Sequence, residues 1–434
     1  MVSVPLSTLH ALFLNYPSVS TDSRHIHPGS LFFAFRGTHF NGNLFAAEAL
    51  EKGAAYAIVD ENVPNPEDKR IIRVANVLET LQQMARFHRQ QSLIPLLGIT
   101  GSNGKTTSKE LISAVLGCKY QLVATEGNLN NHIGVPLTLL RIGRDTEMAV
   151  VEMGANHPGE IGMLCNLALP DAGLITNIGK AHLEGFGGID GIIRTKKALY
   201  DSVKEKGGNF FVNADDPLLM ELTKDYPGRI TYGNGRQTYC RFMPEAYGPF
   251  AAVTFSTANE THLVRSRLIG QYNLANLMAA ITIGLHYGVE AAAIAAALET
   301  YEPCNQRSQF IQTSRNSVIM DAYNANPASM KASLESFAGI AAENKMLILG
   351  DMLELGDHAE EEHRQIIRWL EERAGWKVLL AGPVFSAAAK RAGFQTFRDA
   401  ASVRDYLFQY PVRDHTILIK GSRGIKLETV LEAL

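Results

Sequence analysis

The segment at residues 96–107 constrains the fold of this chain more than any other part of the sequence. It reads LLGITGSNGKTT, an apolar run followed by a loop with glycines, then Lys-Thr and a helical pattern. Gly101 and Gly104 permit backbone conformations in which N–H groups face a polyphosphate, and a helix that begins near Thr106 adds its positive dipole end. Lys105 can then reach the β- and γ-phosphates, and the Thr106 hydroxyl can ligate Mg²⁺. The segment therefore predicts a loop that binds a nucleoside triphosphate.

One position departs from the common phosphate-loop pattern G-x-x-x-x-G-K-[ST]. This chain has Ile99 where that pattern has glycine, and its glycines fall at positions 98, 101 and 104. The spacing indicates a particular branch of phosphate-loop enzymes, and the alternative is a flexible turn that happens to precede Lys-Thr. The predicted nucleotide contacts are Thr100, Gly101, Ser102, Asn103, Gly104, Lys105, Thr106 and Thr107.

Composition excludes several classes of protein. The 434 residues carry a formal net charge of −3, so there is no basic field for a nucleic acid or an anionic membrane. The cysteines at 118, 165, 240 and 304 form no C-x-x-C pair, which argues against a zinc ribbon and for reduced thiols. The apolar start lacks a cationic segment, and no apolar run reaches the ~20 residues of a membrane helix. We expect a soluble, cytoplasmic protein.

The alternation of strand and helix patterns predicts an α/β fold with three domains, at 1–92, 93–302 and 303–434. The first is a small α/β domain, the second a P-loop domain with a mainly parallel sheet, and the third a doubly wound, Rossmann-like domain. Strands are predicted at 31–35, 56–59, 71–74, 96–100, 121–124, 148–153, 173–176, 210–213, 318–321, 346–349, 378–381 and 416–420, with antiparallel pairing at 256–267. Helices are predicted at 44–52, 76–91, 273–287, 289–299, 327–337, 360–373, 384–391 and 400–409.

Polar residues follow the predicted central strands, at the edge where ligands bind in such sheets. Glu152 ends an apolar strand and is a candidate Mg²⁺ ligand, with a simple turn cap as the alternative. His182 follows the next strand, where ligation and a structural hydrogen bond are about equally expected. Asn131 lies in the polar loop 128–136 and is a candidate for orienting a substrate, with an Asx-turn as the alternative.

These segments resemble the Mur ligase family. GITGSNGKTT, EMGANHPGEI and TNIGKAHLEGFG are similar to its central domain, and GQYNLAN to the start of its adenine-side helix. TDSR near the N-terminus resembles the segment that meets the UDP-sugar. DAYNANP, GDMLELG and KGSRG resemble the C-terminal domain of the member that uses D-alanyl-D-alanine. The resemblance covers essentially the whole chain.

The resemblance implies two Mg²⁺ ions. Thr106 and Glu152 would hold one, and His182 with a carbamylated Lys196 would hold the other. Adding CO₂ to Lys196 converts a cation into an oxygen ligand suited to Mg²⁺, whereas an unmodified Lys196 would be an ordinary surface lysine. Lys197 offers a rival register, because the family often has an acidic residue where Ala198 stands. Lys105, His182 and Lys196 are the implied catalytic residues.

The resemblance also implies ATP, UDP-N-acetylmuramoyl-tripeptide and D-alanyl-D-alanine as substrates of a monomeric enzyme. Asn273 would lie near the adenine, Arg307 would reach the phosphates, and Asp321 would meet the ribose or orient the hinge. The segment reads PCNQRSQ, where many relatives have glycine before the arginine. Tyr323, Asn324 and Asn326 are candidate dipeptide contacts, and Asp22, Ser23 and Arg24 are candidate contacts of the UDP-sugar. The Asn residues also suit turns.

The implied reaction is ATP-dependent amide formation through an acyl phosphate, in which the C-terminal domain closes over ATP and the dipeptide. A different Mur ligase or a folylpolyglutamate synthetase is one alternative, although TDSR argues against a folate. A P-loop switch or motor is a second alternative, although those proteins usually end the relevant strand with aspartate instead of Glu152. The third is an inactive binding module, which the presence of Lys105, Thr106, Glu152 and His182 disfavours.

Overall fold

The computed structural model describes residues 4–179, 183–235, 238–303, 306–373 and 375–434. These residues form three consecutive α/β units, each built on a mainly parallel sheet, with an antiparallel sheet appended to the second unit. The predicted α/β fold class is confirmed, and the domain limits at 92 and 302 stay predictions. Within the described part of the chain, no helix combines the length and the apolar character needed to cross a bilayer.

The first unit is a parallel sheet with the strand order β1-β2-β3-β4. Its β2 is buried along its whole length because it consists of apolar residues only. The sequence did not predict α1, whose Leu9 and Phe13 pack into the core. The elements are α1 (Leu6–Asn15), β1 (Val19–Ser20), β2 (Leu31–Phe33), α2 (Ala46–Glu51), β3 (Tyr56–Val59), β4 (Ile71–Arg73) and α3 (Val77–Gln91).

The second unit has a parallel sheet with the strand order β10-β9-β8-β5-β7-β6. Nearly continuous apolar runs such as those of β5 and β7, which are buried along their whole length, are typical of a sheet covered on both faces. The elements are β5 (Leu96–Thr100), α4 (Lys105–Leu116), β6 (Leu122–Ala124), α5 (Gly134–Leu139), β7 (Met148–Glu152), α6 (Glu160–Ala168), β8 (Ala172–Ile175), α7 (Leu183–Phe186), α8 (Ile189–Glu205), β9 (Asn209–Asn213), α9 (Pro217–Leu222) and β10 (Arg229–Tyr232).

This strand order positions the site. Because β5 lies between β7 and β8 and all three are parallel, the segments that follow them meet at one edge of the sheet. The phosphate loop follows β5, Glu152 ends β7, and Thr176 follows β8. The chain thus brings together, at the carboxyl edge, side chains that are far apart in sequence.

An antiparallel sheet and two helices complete the second unit. The sheet has the order β11-β12-β13, and α10 packs against α4. The sequence predicted antiparallel pairing at 256–267 but missed β11, which is mostly exposed and lacks an apolar run. The elements are β11 (Arg241–Tyr247), β12 (Phe250–Ser256), β13 (Thr261–Ile269), α10 (Leu274–His286) and α11 (Ala291–Thr300).

Helix α3 joins the first unit to the second. Its apolar face, which includes Leu81 and Met84, is buried in a core that continues into Leu96 and Leu164 of the second unit. The helix packs against α5 and α6. Because the two units share one apolar core, we expect them to behave as one body.

Arg89 fastens the connection between these units. Its guanidinium donates to the carbonyls of Ala168 and Ser92 at 3.0 and 2.9 Å and to the Asp171 carboxylate at 2.7 Å. The same carboxylate accepts the backbone N–H of Leu96, where β5 begins. Burial lowers the pKa of Arg89, whereas the Asp171 charge raises it.

We expect Arg89→Ala to lower the free energy of unfolding by about 2 kcal/mol, because it leaves several buried carbonyls without a donor. The Asp171 carboxylate is partly exposed, which limits the cost. Urea unfolding would measure the loss. Arg86→Ala on the exposed face of α3 is the matched control, and equal stabilities of the two variants would contradict this role.

The third unit has the strand order β14-β15-β19-β16-β17-β18, in which only the pairing of β14 is antiparallel. Helices cover both faces, as the predicted doubly wound domain requires. The elements are β14 (Gln309–Gln312), β15 (Ser317–Asp321), α12 (Pro327–Ala338), β16 (Lys345–Gly350), α13 (Ala359–Glu371), β17 (Lys377–Ala381), α14 (Pro383–Ala388), β18 (Gln395–Phe397), α15 (Ala400–Gln409) and β19 (Thr416–Lys420).

Candidate active site

The phosphate loop has the backbone shape that its glycines predict. Gly104 precedes α4 with a φ of 78°, in the left-handed region. Gly101 has a φ of 152°, and a Cβ atom there would lie 1.9 Å from the Thr176 hydroxyl. Both positions therefore require glycine. Thr100 ends β5 and donates its hydroxyl to the Met153 carbonyl at 2.8 Å.

Residues after β8 brace this loop. The N–H of Ser102 donates to the Asn177 carbonyl at 2.9 Å, and the N–H of Asn103 donates to the Asn177 side chain at 3.0 Å. The Thr176 hydroxyl donates to the Asn103 carbonyl at 2.6 Å. The sequence analysis did not select Asn177, although its position just beyond a strand at the ligand-binding edge was a usable signal.

Two lysines share one carbonyl beneath the loop. The Nζ atoms of Lys105 and Lys196 donate to the Gly101 carbonyl at 2.7 and 3.0 Å. Burial lowers the pKa of Lys105, the Glu152 carboxylate raises it, and the Arg307 charge lowers it again. Burial, followed by the charge of Lys105, lowers the pKa of Lys196 to about 7. Lys196 is 2% exposed, so it is not the ordinary surface lysine that the sequence left open.

Glu152 lies buried at the end of β7. Its Oε1 accepts the Thr106 hydroxyl at 3.1 Å and the Asn130 amide at 2.8 Å. Its Oε2 is buried and has no hydrogen-bond partner in the described parts of the chain. Burying a carboxylate oxygen without a partner costs folding free energy unless a cation or a hydrogen-bond donor binds it. Glu152 and Thr106 thus offer the hard oxygen ligands that Mg²⁺ prefers.

The second predicted metal site falls partly outside the described residues, because His182 lies there. The described residues contain no group of three or more His, Cys, Asp or Glu side chains arranged to hold a metal. His182 stays a prediction.

The Asn273 side chain forms hydrogen bonds within the protein. Its Nδ2 donates to the Ile269 carbonyl at 2.8 Å, and its Oδ1 accepts the Asn276 amide at 2.8 Å. Asn276 in turn accepts the Ser108 hydroxyl of α4 at 2.9 Å. Asn273 also borders the cleft, and its contact with adenine stays a prediction. Its hydrogen bonds help to fix α10 against α4.

Arg307 enters the cleft from the start of the third unit. The neighbouring Gln306 and Ser308 have φ values of 59° and 49°, in the left-handed region. Gln306 thus adopts the conformation that glycine takes without strain, at the position where the family resemblance expects glycine. The Arg307 guanidinium stacks on Tyr323, with 3.6 Å from Cζ to the ring centroid. Its Nε is buried and has no hydrogen-bond partner among the described residues.

Asp321 ends β15 and forms an ion pair at 2.6 Å with Lys420, whose side chain is buried while that of Asp321 is partly buried. The Ser333 hydroxyl also donates to this carboxylate at 2.6 Å, and the Ser308 N–H does so at 3.4 Å. The pair therefore ties β15, β19 and α12 to the segment that carries Arg307. The resemblance included Lys420 only within the KGSRG segment, and its pairing with Asp321 was not predicted.

The candidate asparagines are largely occupied by the protein itself. The Asn131 side chain accepts the N–H groups of Ile133 and Gly134, as in the Asx-turn alternative, and the Asn324 side chain accepts the N–H of the next residue. Asn326 caps α12 through Ser329, and its amide donates to the Asn103 side chain at 2.7 Å. Their substrate contacts stay predictions.

The predicted UDP-sugar segment lies in the first unit, away from this cleft. Arg24 donates to the Asp22 carboxylate at 2.6 Å, and this hydrogen bond holds the pKa of Asp22 well below its usual range. The Ser23 carbonyl accepts the Lys52 ammonium at 2.9 Å. The segment is thus structured, with Arg24 exposed and Asp22 and Ser23 partly exposed.

A cleft of about 620 Å³ lies between the second and third units. One wall carries the phosphate loop with Lys105 and Glu152, and the other carries Arg307, Asp321 and Tyr323. Thr107 also lines it, at the first turn of α4. The cleft can bind a polyphosphate on one wall while a second reactant lies against the other. Fold and cleft define an α/β nucleotide-binding enzyme of the phosphate-loop class.

The chain belongs to the Mur ligase family, as the sequence predicted. Three family models match consecutive segments. They are the Mur ligase family catalytic domain at 15–89, the Mur ligase middle domain at 99–284, and the Mur ligase glutamate ligase domain at 306–423.

Several relatives match over nearly their whole length. The UDP-N-acetylmuramoyl-tripeptide–D-alanyl-D-alanine ligase of Bacillus subtilis is 36% identical, with 96% of this chain and 92% of the relative covered. The enzyme of the same name from Escherichia coli is 32% identical, with 100% and 99% covered.

Solved structures agree with these relatives. MurF from Acinetobacter baumannii has a TM-score of 0.84 and 31% identity, with 96% of this chain and 92% of that chain covered. The MurF ligase of Thermotoga maritima in complex with ADP has a TM-score of 0.84 and 27% identity, with 97% of each chain covered.

Proposed function

We propose that this chain is an ATP-dependent ligase that adds D-alanyl-D-alanine to UDP-N-acetylmuramoyl-tripeptide in peptidoglycan synthesis. The observation that carries the proposal is the cleft, in which a phosphate loop and a carboxylate with an unpartnered oxygen face Arg307 and Tyr323. Similarity to ligases of this name over nearly the whole chain supports the choice of substrates.

The reaction needs an activated acid, because a carboxylate is a poor electrophile. A carboxylate oxygen of the tripeptide attacks the γ-phosphorus of ATP, the bond to the β-phosphate oxygen breaks, and ADP leaves. The amine of the dipeptide then attacks the acyl carbon of the acyl phosphate. The tetrahedral intermediate collapses to an amide, releasing phosphate and one proton.

The described residues suit the first step through charge and position. N–H groups at the N-terminus of α4 would face the phosphates, and Lys105, the first residue of that helix, would lie where charge develops on the transferred group. Arg307 approaches from the opposite wall with an unpartnered Nε. Two cations on opposite walls would reduce the repulsion between a phosphate and an attacking carboxylate.

Magnesium fits the wall that carries Glu152. Thr106 and Glu152 would hold the ion, which would supply charge neutralisation at the phosphates when bound. Asn130 donates to Oε1, and Oε2 has no hydrogen-bond partner among the described residues. Thr125 fixes the same residue by accepting the Glu152 N–H at 3.0 Å.

Carbamylation of Lys196 fits its surroundings. An amine must be neutral to react with CO₂, and a pKa of about 7 leaves about half of Lys196 neutral at that pH. The reaction forms an N–C bond and releases one proton, which replaces a buried cation beside Lys105 with an anion. The product would be an oxygen ligand for a second Mg²⁺, together with His182.

We expect Lys196→Met to reduce ligation about 10²-fold, as loss of a metal-orienting group does. The proton and CO₂ compete for the same amine, so at limiting bicarbonate the parental enzyme should lose activity as pH falls through about 7. Added bicarbonate should restore it. The mass of the intact protein should show one CO₂ on Lys196.

Lys197→Met is the matched control, because this neighbour is half-exposed and pairs with Asp201 on the surface of α8. A Lys196 variant as active as the Lys197 variant would exclude the carbamate from catalysis.

Contact between the second and third units supports water exclusion during the reaction. Asn326 donates to Asn103 of the phosphate loop, so the third unit touches the loop directly. A closed cleft would protect the acyl phosphate from hydrolysis. In this proposal the partly exposed segment with Asp22, Ser23 and Arg24 meets the UDP-sugar. The enzyme is monomeric and acts in the cytoplasm, where ATP is available.

The proposal is tested by measuring ADP release and product formation with UDP-N-acetylmuramoyl-tripeptide, ATP and Mg²⁺. D-alanyl-D-alanine should give product, while L-alanine, D-glutamate and diaminopimelate should not. A preference for a single amino acid would indicate a different ligase of the family. Phosphate release that needs no amine acceptor would indicate a P-loop switch or motor.

A further inference from the structure

Two guanidinium groups flank the ring of Tyr323 in the third unit. Arg307 stacks with its Cζ 3.6 Å from the ring centroid. Arg423 lies with its Cζ 5.3 Å from the same centroid, and its Nη1 donates to the Tyr323 hydroxyl at 3.4 Å. Neither arginine forms an ion pair with any residue that the structure describes, whereas the nearby Lys420 is neutralised by Asp321.

The position of Arg423 is set by its neighbours in the chain. The Ser422 hydroxyl donates to the Ala325 carbonyl at 3.2 Å and accepts the Leu353 N–H at 2.9 Å. The Ser422 N–H donates to the Asp351 carbonyl at 3.1 Å. The turn after β19 is therefore held by the turns after β15 and β16, and Arg423 is exposed beside Tyr323, which lines the cleft.

We propose that Arg423, assisted by the Tyr323 hydroxyl, binds the terminal carboxylate of the incoming D-alanyl-D-alanine. This inference rests on the proposed function and names the group that recognises the second substrate. A guanidinium offers paired donors that match a carboxylate, and a neighbouring phenol adds a further donor. An unpaired arginine at the rim loses little when it binds such an anion.

The spacing agrees with a dipeptide. Arg307 lines the same cleft as Lys105 and the phosphate loop. The Cζ atoms of Arg307 and Arg423 are separated by no more than the sum of their distances to the Tyr323 centroid. An extended dipeptide spans about 7 Å. Its amine can therefore approach the acyl phosphate beside Arg307 while its carboxylate reaches Arg423.

The test compares D-alanyl-D-alanine with D-alanyl-D-alaninamide, which lacks the negative charge. The parental enzyme should have a KM about 10–100-fold higher for the amide. Arg423→Gln should raise the KM for D-alanyl-D-alanine by a similar factor and leave the KM for the amide unchanged, so the ratio approaches one. The KM ratio of Arg423→Lys should lie between those of the parental enzyme and Arg423→Gln, because lysine keeps the charge but loses the paired donors.

Two further measurements separate this role from a structural one. The KM values for ATP and for the UDP-linked precursor should not change in Arg423→Gln. Arg398→Gln, an exposed residue paired only with Asp399 in the described chain, should keep the parental ratio. An unchanged ratio in Arg423→Gln, or a higher KM for the precursor in place of the dipeptide, would overturn the inference alone. Failure of the parental enzyme to use D-alanyl-D-alanine would overturn the proposed function as well.

Discussion

Replacing Lys105 with methionine should reduce the ligation rate about 10³-fold or more, on the scale seen when a cation that stabilises a transferring phosphate is removed. The ammonium lies inside the loop, bound to the carbonyls of Gly101 and Ser102 at 2.7 and 3.2 Å. Methionine keeps most of the volume and removes the charge. Among the described residues that line the cleft, Lys105 is the only lysine or arginine of the second unit, and Lys196 donates to the same Gly101 carbonyl without lining the cleft.

The measurement is product formation at saturating ATP and Mg²⁺, together with ADP affinity and the urea unfolding midpoint. Affinity for ADP should fall less than the rate, because ADP lacks the γ-phosphate, the group on which charge develops during transfer. Lys204→Met, an exposed position on α8 of the same unit, is the control. If the Lys105→Met enzyme retained the rate of the control, the phosphate loop would have no part in the mechanism.

Much of the nucleotide-binding half was predictable because its signals are local. The run at residues 96–107 specifies strand, loop and helix within itself, and β5 and α4 occur where expected. The position of Glu152 was predictable because the end of an apolar strand lies at the ligand-binding edge, whereas its role as a metal ligand stays a prediction. In the third unit, β19 and α15 have the predicted bounds, for the same reason of strong local periodicity.

The partners of these residues were not predictable, because they depend on strand order. Asn177 braces the phosphate loop only because β8 lies beside β5. No local sequence pattern indicates that these two strands are neighbours in the sheet. Lys420 pairs with Asp321 because β19 lies beside β15 although nearly a hundred residues separate them. The mostly exposed β11 and the two-residue β1 lacked the periodicity that the analysis used.

Asparagine side chains show a second limit of sequence analysis. Asn273, Asn131 and Asn326 were selected as ligand contacts, yet each uses its side chain in hydrogen bonds within the protein. An amide suits a turn, a cap or a ligand equally well, so residue type alone does not separate these roles. For Asn326 the observed partner, Asn103, lies in another unit of the chain.

Replacing Glu152 with glutamine should lower ligation about 10³-fold at physiological Mg²⁺, through loss of the charged oxygen that a cation would need. Glutamine keeps the shape. Its oxygen can still accept from Thr106 and Asn130 at the Oε1 position, and its amide nitrogen then takes the place of the unpartnered Oε2. A donor would thus occupy the position directed at the cation. The fold should be retained, with little change in the free energy of unfolding.

The effect should depend on magnesium in a way that separates ligation from a structural role. With Mg²⁺ present, Glu152→Gln should bind ADP more weakly and require more Mg²⁺ for half-maximal rate. Without Mg²⁺ it should bind ADP at least as well as the parental enzyme, because a negative charge that repels the phosphates has been removed. Glu126→Gln, an exposed position paired with Arg141, should change neither affinity. If both glutamine variants responded to Mg²⁺ identically, the unpartnered oxygen of Glu152 would have no part in holding the metal.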